Sequence, residues 1–555
     1  MSRKGRMAQE KTPPKLDTKR KKCNKIKIIS IKVWRYKTME LYELHNEICN
    51  HIDNGEFDKA MEKIALIEAA EVDPKYKNYI LSGIYIDIGS IKHDENLVNK
   101  GIGLILENLN EYEQQENILQ SVYYNLANGY SVLFNLKRVK NPMYGFMEAD
   151  TEAHKAIEFY KKSLECREKS TDITVQTYVN LGNMFDSIGR NLEALDYYDK
   201  ALAINPNFGM ALANKGLALK YYAEITGEHW RMYYIEAYNF IKLGLQYGVH
   251  SEAKEEFLRN LHEIKKYVNS DNIDLSDLEK PKMDTQSDFE KFLVEFCIEH
   301  KLYLNLCNFC QKCQFSLGDD IVIKNMIVNI EKSLEDDAYL KLSSFLNEIK
   351  ENYIAARFLL VQSVYRDNDL SFVDKNVAII DTLDYVEHNI FVQLLKFAFK
   401  NMYDILDKVS IFLNEYLELG KKIEHIDFNN IWYEKKEQNK FNINNKIIKT
   451  KNYALNALFN IHLEFKTGEY EDLREIRNAL THRFLNVYWM GKYSFENMNE
   501  EYLVDKTIQI TQIIRNVIIY LISFVYTEET KKEKKLKGKL VTLNAYTIPD
   551  HLKNL

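Results

Sequence analysis

Proline is scarce in this chain: seven occur in 555 residues, and none lies between Pro281 and Pro549. A stretch of that length without a helix breaker, low in glycine and rich in Leu, Ile, Asn, Lys and Glu, excludes a turn-rich β protein and predicts an all-α fold. Cysteine is also sparse. The seven present are an odd number, with no apolar signal segment after the basic start, which argues against a disulfide framework and predicts a reducing, cytoplasmic setting. Long apolar runs are missing too. The most apolar segment, Val517 to Tyr526, follows Arg515 and falls short of the roughly twenty residues a membrane span needs, so it reads as a buried bundle helix.

Charge is unevenly placed. The net charge is −6, yet residues 1–38 are basic, with Lys19-Arg20-Lys21-Lys22 opposed only by Glu10 and Asp17, so the folded remainder is more acidic than the total. This arm reads either as a disordered nucleic-acid or targeting tail, or as sequence upstream of a true start at Met39, where helical periodicity begins. The length predicts about three units.

From residue 39 to 267 the sequence repeats itself. Tyr178, Leu181, Gly182, Phe185, Ala194, Tyr198, Ala201 and Pro206 alternate small and large packing positions over two helices, a pattern that resembles the tetratricopeptide repeat. Weaker copies flank it, around Gly55 to Pro74, Tyr79 to Ile86, Tyr123 to Ser163 with an insertion near Lys137 to Asp150, and Leu212 to Gly244. The resemblance implies a helical solenoid whose concave face holds an extended peptide or protein segment, with Asn125, Asn128, Asn180, Asn183 and Asn214 as groove candidates. Residues 268–287 are polar and unperiodic and read as a linker.

Residues 288–530 read as a helical bundle, with helices over Phe289 to His300, Asp336 to Arg366, Leu383 to Leu419, Asn452 to Phe465 and Glu500 to Tyr526, and an asparagine-rich loop over Asp427 to Lys449. Cys297, His300, Cys307, Cys310 and Cys313 have spacings at which a soft metal ion is conceivable. Small buried thiols are the simpler reading, because no fourth Cys-x-x-Cys partner exists. Neither a metal nor a cofactor is therefore expected. Residues 531–555 read as a basic tail, with lysines from Lys531 to Lys539.

The chemistry concentrates in Leu473 to Phe484. Leu473, Ile476, Leu480 and Phe484 recur at helical spacing and predict a core-facing stripe, leaving Arg477, Asn478 and His482 on other faces. Asn478 and His482 are helical neighbours; Arg477 and His482 lie about 140° apart around an ideal helix. A plain structural alternative pairs Arg477 with Glu475 or Asp472 and lets His482 cap a loop.

The phrase Arg-Asn-x-x-x-His resembles the Arg-x(4–6)-His signature of the HEPN superfamily (higher eukaryotes and prokaryotes nucleotide-binding). The resemblance implies an all-α bundle in which two copies of the motif meet across a homodimer and cleave RNA without a metal. Catalytic roles then fall to Arg477, Asn478 and His482, and RNA contacts to Arg474 and Arg483. Histidine, which ordinarily titrates near neutrality, suits proton transfer, and a guanidinium suits the phosphate. Some HEPN toxins carry a modifiable tyrosine two residues after the histidine; this chain has Phe484 there, which puts such silencing in doubt. The expectation is a HEPN endoribonuclease under a tetratricopeptide sensor, in bacterial defence, toxin activity or stress response. The alternative is a non-catalytic adaptor whose solenoid binds a peptide or protein and whose bundle dimerises or holds RNA.

Overall fold

The computed structural model describes residues 37–226, 230–267, 285–305, 314–323, 325–329, 338–366, 368–381, 383–435, 441–489, 497–535, 540–544, 547–549 and 552–553. The basic arm to residue 36, most of the expected linker, and Cys307, Cys310 and Cys313 lie outside them. The described residues form a helical solenoid followed by a helical bundle, as the scarcity of proline predicts. By contact density the chain divides into two compact units, Met1–Leu136 with Glu158–Thr177, and Lys137–Ile157 with Tyr178–Leu555.

The first unit is built of helical hairpins. α1 (Lys37–Asp53) and α2 (Phe57–Ala69) turn at Gly55, whose φ of +74° favours glycine, and His51 Nδ1 meets Glu56 Oε2 at 2.6 Å across the turn. Pro74 opens α3 (Pro74–Lys92) where its missing N–H has no helical partner to lose, and the Asp73 carboxylate accepts from Lys75 N at 3.0 Å. α4 (Glu95–Leu106) packs against α3 so closely that a Cβ on Gly101 would stand 2.7 Å from Ser82 O. α5 (Leu109–Tyr112) follows, and then α6 (Glu116–Lys140), α7 (Glu152–Glu165) and α8 (Thr171–Ser187), each with residues in both units.

In the second unit the end of α8 and α9 (Asn191–Ile204) form the clearest repeat. Gly182 allows the close approach, since a Cβ there would lie 2.6 Å from Tyr198 Cε1, and α9 ends just before Pro206. α10 (Gly209–Thr226), α11 (Trp230–Tyr247) and α12 (Ser251–Lys265) continue the solenoid. The bundle comprises α13 (Asp288–Glu299), α14 (Ala338–Tyr365), α15 (Ile390–Tyr416), the short α16 (Asn445–Thr450), α17 (Tyr453–Thr467), α18 (Glu471–His482) and α19 (Glu500–Lys535). Ile514, Val517, Ile518, Leu521 and Phe524 of α19 are buried against α15 and α17. α19 is long and apolar enough to cross a membrane by length and composition, but 83% of its apolar window is buried inside the protein.

Among the described residues three small two-stranded pairings interrupt the helices. β1 (Asn325–Asn329) runs antiparallel to β6 (Leu540–Asn544), β2 (Tyr433–Lys435) antiparallel to β3 (Phe441–Ile443), and β4 (Asn486–Tyr488) parallel to β5 (Asn497–Asn499). The asparagine-rich loop thus contains a hairpin pinned by fully buried Trp432, whose indole N–H donates to Phe428 O at 2.8 Å. The helix expected from Leu383 begins only at Ile390. Leu383 and Tyr385 adopt φ of +59° and +64°, Glu387 N donates to Val487 O at 2.7 Å, and Asn389 caps the helix by accepting from Val392 N at 2.9 Å. At the other end, the first five residues of the expected basic tail continue α19: Lys531 Nζ donates to Thr450 O at 2.9 Å.

Candidate functional site

α18 is amphipathic. Leu473, Ile476 and Ala479 are buried, and Glu471 and Asp472 in its first turn complement the helix dipole. The expected core position of Phe484 is overturned. The backbone turns extended at Arg483 (φ −134°, ψ −166°), so the helix ends at His482 and Phe484 is 89% exposed.

Arg477 is half-buried, with its guanidinium carbon 5.6 Å from the centre of the Tyr403 ring on α15. Its Nε is buried without a hydrogen-bond partner. Asp404 and Asp407 of α15 lie in its field: burial pushes both carboxyls above the ordinary range, and the nearby Arg477 charge pulls them back. The carboxylates that the plain alternative assigns to Arg477 pair elsewhere, Glu475 with Arg483 at 3.0 Å and Asp472 with Lys506 at 2.5 Å. Asn478 Nδ2 stands 3.5 Å from Glu475 Oε1. His482 is exposed and makes no hydrogen bond with the described residues.

Of the two arginines expected to touch RNA, Arg474 is engaged within the fold. It donates to Lys466 O at 2.6 Å and Phe465 O at 3.3 Å, capping α17, and pairs with Glu471 at 2.7 Å. An RNA contact from Arg474 requires those bonds to break. Arg483 remains at the surface beside Glu475. Tyr403, Asp404 and Asp407 escape motif reading, although a tyrosine and two carboxylates grouped on one face of an apolar helix are a usable signal.

Large apolar side chains are exposed on the segments that follow α18 and precede α15. β4 follows α18 and is met by the segment before α15: Val386 bridges to Tyr488, and Trp489 N donates to Tyr385 O at 3.2 Å. Leu383, Tyr385, Phe484 and Trp489 are 84%, 72%, 89% and 71% exposed, large apolar side chains left to solvent on these two segments. Ile379, Ile380, Leu383, Tyr385, Val386 and His388, with Asp381 and Asp384, line a cleft of about 470 Å³.

The five groove asparagines differ in their engagement. Asn125 is buried with Nδ2 unpartnered, and Asn128 accepts from Tyr160 OH at 2.7 Å. Asn183 accepts both from Tyr198 OH at 2.7 Å and from Asn214 Nδ2 at 2.8 Å, so its carbonyl is filled by its own repeat and by the next helix, α10. Asn180 is half-buried and also has a partner within the fold. Of the thiol and imidazole candidates, Cys297 is fully buried and its thiol is pushed up to about 11 by burial, while His300 ends α13 with its ring 4.4 Å from Phe296. That environment holds the thiol protonated and does not favour a thiolate ligand.

Residues 333–528, which contain the whole of α18, match the LA2681-like HEPN family model, and residues 175–208 match the tetratricopeptide repeat. The chain therefore carries an LA2681-like HEPN domain C-terminal to a tetratricopeptide repeat. It is also similar to Photosystem I assembly protein Ycf3 of Acaryochloris marina (strain MBIC 11017), 36% identical over 81 residues, which are 15% of this chain. The match spans about half of that relative, 48% of its length.

Proposed function

We propose that the HEPN domain is a metal-independent endoribonuclease that acts as a homodimer under control of the tetratricopeptide solenoid, in a cytoplasmic setting of defence, toxin activity or stress response. The observation that carries this reading is the state of the motif itself: on one short helix an imidazole stands exposed with no hydrogen bond to the described residues, while a half-buried guanidinium keeps a buried Nε without a partner among them. Buried polar groups ordinarily complete their hydrogen bonds, so the Nε of Arg477 is the exception that a phosphate oxygen would satisfy.

Metal-free RNA cleavage requires a base for the ribose 2′-OH proton, an acid for the leaving 5′-oxygen, and positive charge at the phosphorus. His482 supplies proton transfer, Arg477 the charge, and Asn478 a donor to a phosphate oxygen. One motif offers a single histidine, so a second copy completes the acid and base pair, and the apolar surface around Tyr385, Phe484 and Trp489 gives that copy a place to dock. Solenoid grooves of this class favour a peptide or protein segment as the controlling partner.

The test is incubation of labelled RNA with the full chain in EDTA. Wild type is expected to cleave, and His482→Ala and Arg477→Ala to lose about a hundredfold or more of the rate. Because His482 is exposed, His482→Ala should change stability by less than about 0.5 kcal/mol in urea denaturation. Absence of cleavage with any activating partner, in a protein that still binds peptide or RNA, favours the adaptor reading.

A further inference from the structure

Tyr453, Asn456, Asn460 and Glu464 recur at three- and four-residue spacing along α17 and form a polar stripe on one face of the helix. The whole stripe is tied to the segment from Arg138 to Arg190. Tyr453 OH accepts from Arg138 Nη2 at 2.9 Å. Asn456 accepts from Met147 N at 2.7 Å and donates to Ile188 O at 2.8 Å. Asn460 Oδ1 meets His154 Nε2 at 2.8 Å, and Glu464 Oε1 lies 3.5 Å from Arg190 Nη1. The turn between α8 and α9 is pressed so tightly against this helix that a Cβ on Gly189 would stand 2.2 Å from Tyr453 O.

Arg190 is the hub of the arrangement. It is 1% exposed, and its Nη2 donates to Glu193 Oε1 at 3.0 Å and to Tyr470 OH at 2.9 Å. Tyr470 is the residue immediately before α18. The second oxygen of Glu193 accepts from Tyr520 OH of α19, and that phenol oxygen in turn accepts from Leu192 N at 3.0 Å. One guanidinium from a tetratricopeptide turn therefore reaches the end of α17, the start of α18 and, through Glu193, the middle of α19.

We propose that Arg190 is a positioning residue for the motif helix: it fixes the start of α18 to the α8–α9 hairpin, so that displacement of the hairpin is passed to Arg477 and His482. Apolar packing can stabilise such a contact as well as a buried ion pair does, but it does not dictate one geometry as a planar fork does. Removing one partner strands a buried charge, so the network is made or broken as a whole rather than stretched gradually. This inference goes beyond the nuclease reading, because it concerns the place of α18 and not what α18 catalyses.

The test is hydrogen exchange of the full-length chain at the backbone amides of residues 472–482. Tyr470→Phe removes only the hydroxyl and is expected to speed exchange there about tenfold, with α14 unchanged; Arg190→Gln should do at least as much where it folds. A general loss of stability would speed α14 as well, and that result overturns the positioning role. Transmission is tested with Gly182→Ala, which forces α8 and α9 apart at Tyr198. It should alter exchange at 472–482 in the wild-type background and leave it unaltered when Tyr470→Phe is already present. An equal effect in both backgrounds, or no effect of Tyr470→Phe on residues 472–482, overturns the proposal. RNA cleavage by the same samples reports separately on catalysis, so either reading can fail without the other.

Discussion

Two histidines 20 positions apart mark the extremes a side chain meets in this protein. His482 faces solvent, whereas His462 is fully buried among Phe428, Trp432, Phe459 and Tyr433 and is pushed down to about 3, chiefly by burial and then by Lys466. Its folded value lies below the ordinary histidine value of 6.5, so between the two the unfolded chain binds the proton and the folded chain does not. Stability from this group is therefore complete above about pH 6.5 and lost on acidification toward 3, by at most about 1.4 kcal/mol per pH unit. Urea midpoints measured from pH 7 to 4 should fall less steeply in His462→Leu than in wild type; equal slopes would remove His462 from the acid response. Gly189 makes a second prediction at this scale. Its φ is +90° and its Cα faces the Tyr453 carbonyl, so Gly189→Ala should cost about 2–4 kcal/mol in urea denaturation.

At the scale of elements, the tetratricopeptide hairpin, the bundle helices and the motif helix were legible because apolar periodicity and caps are local signals. Asn452 before α17 is an example: its side chain accepts from Ala454 N at 3.0 Å. The illegible features depend on distant sequence. The start of α15 at Ile390 rather than Leu383 follows from β4, about a hundred residues later, drawing the preceding segment into pairing. Phe484 reads as core until the backbone of Arg483 turns it outward. Asn456 and Asn460 are visible as polar interruptions of an apolar helix, but their partners, Met147, Ile188 and His154, lie some three hundred residues away. Of the site, the sequence pointed to Arg477, Asn478 and His482; it did not reveal that Arg474 is bound into the cap of α17, that Tyr403 stands against Arg477, or that Asp404 lies in the field of that charge.

For the whole molecule, the proposed pairing through the exposed apolar side chains around Tyr385 and Phe484 predicts a dimer. Light scattering on the wild type should give twice the 65.5 kDa chain mass, and Leu383→Glu combined with Tyr385→Asp should return it to a single chain while the helical signal is unchanged. Loss of RNA cleavage in that variant would tie activity to pairing; full activity as a monomer would show that one chain supplies all the groups required.

The claim on which the rest depends is that a histidine at the end of α18 moves the proton of a ribose hydroxyl. It is tested most directly by single-turnover cleavage, in EDTA, of an oligoribonucleotide and of the same oligonucleotide with one 2′-deoxy substitution at the cut position, using wild type and His482→Ala. Wild type is expected to cut only the all-ribose strand at that position and to leave a 2′,3′-cyclic phosphate, and His482→Ala to cut neither. Cleavage next to the deoxy sugar, or undiminished cleavage by His482→Ala, would contradict it.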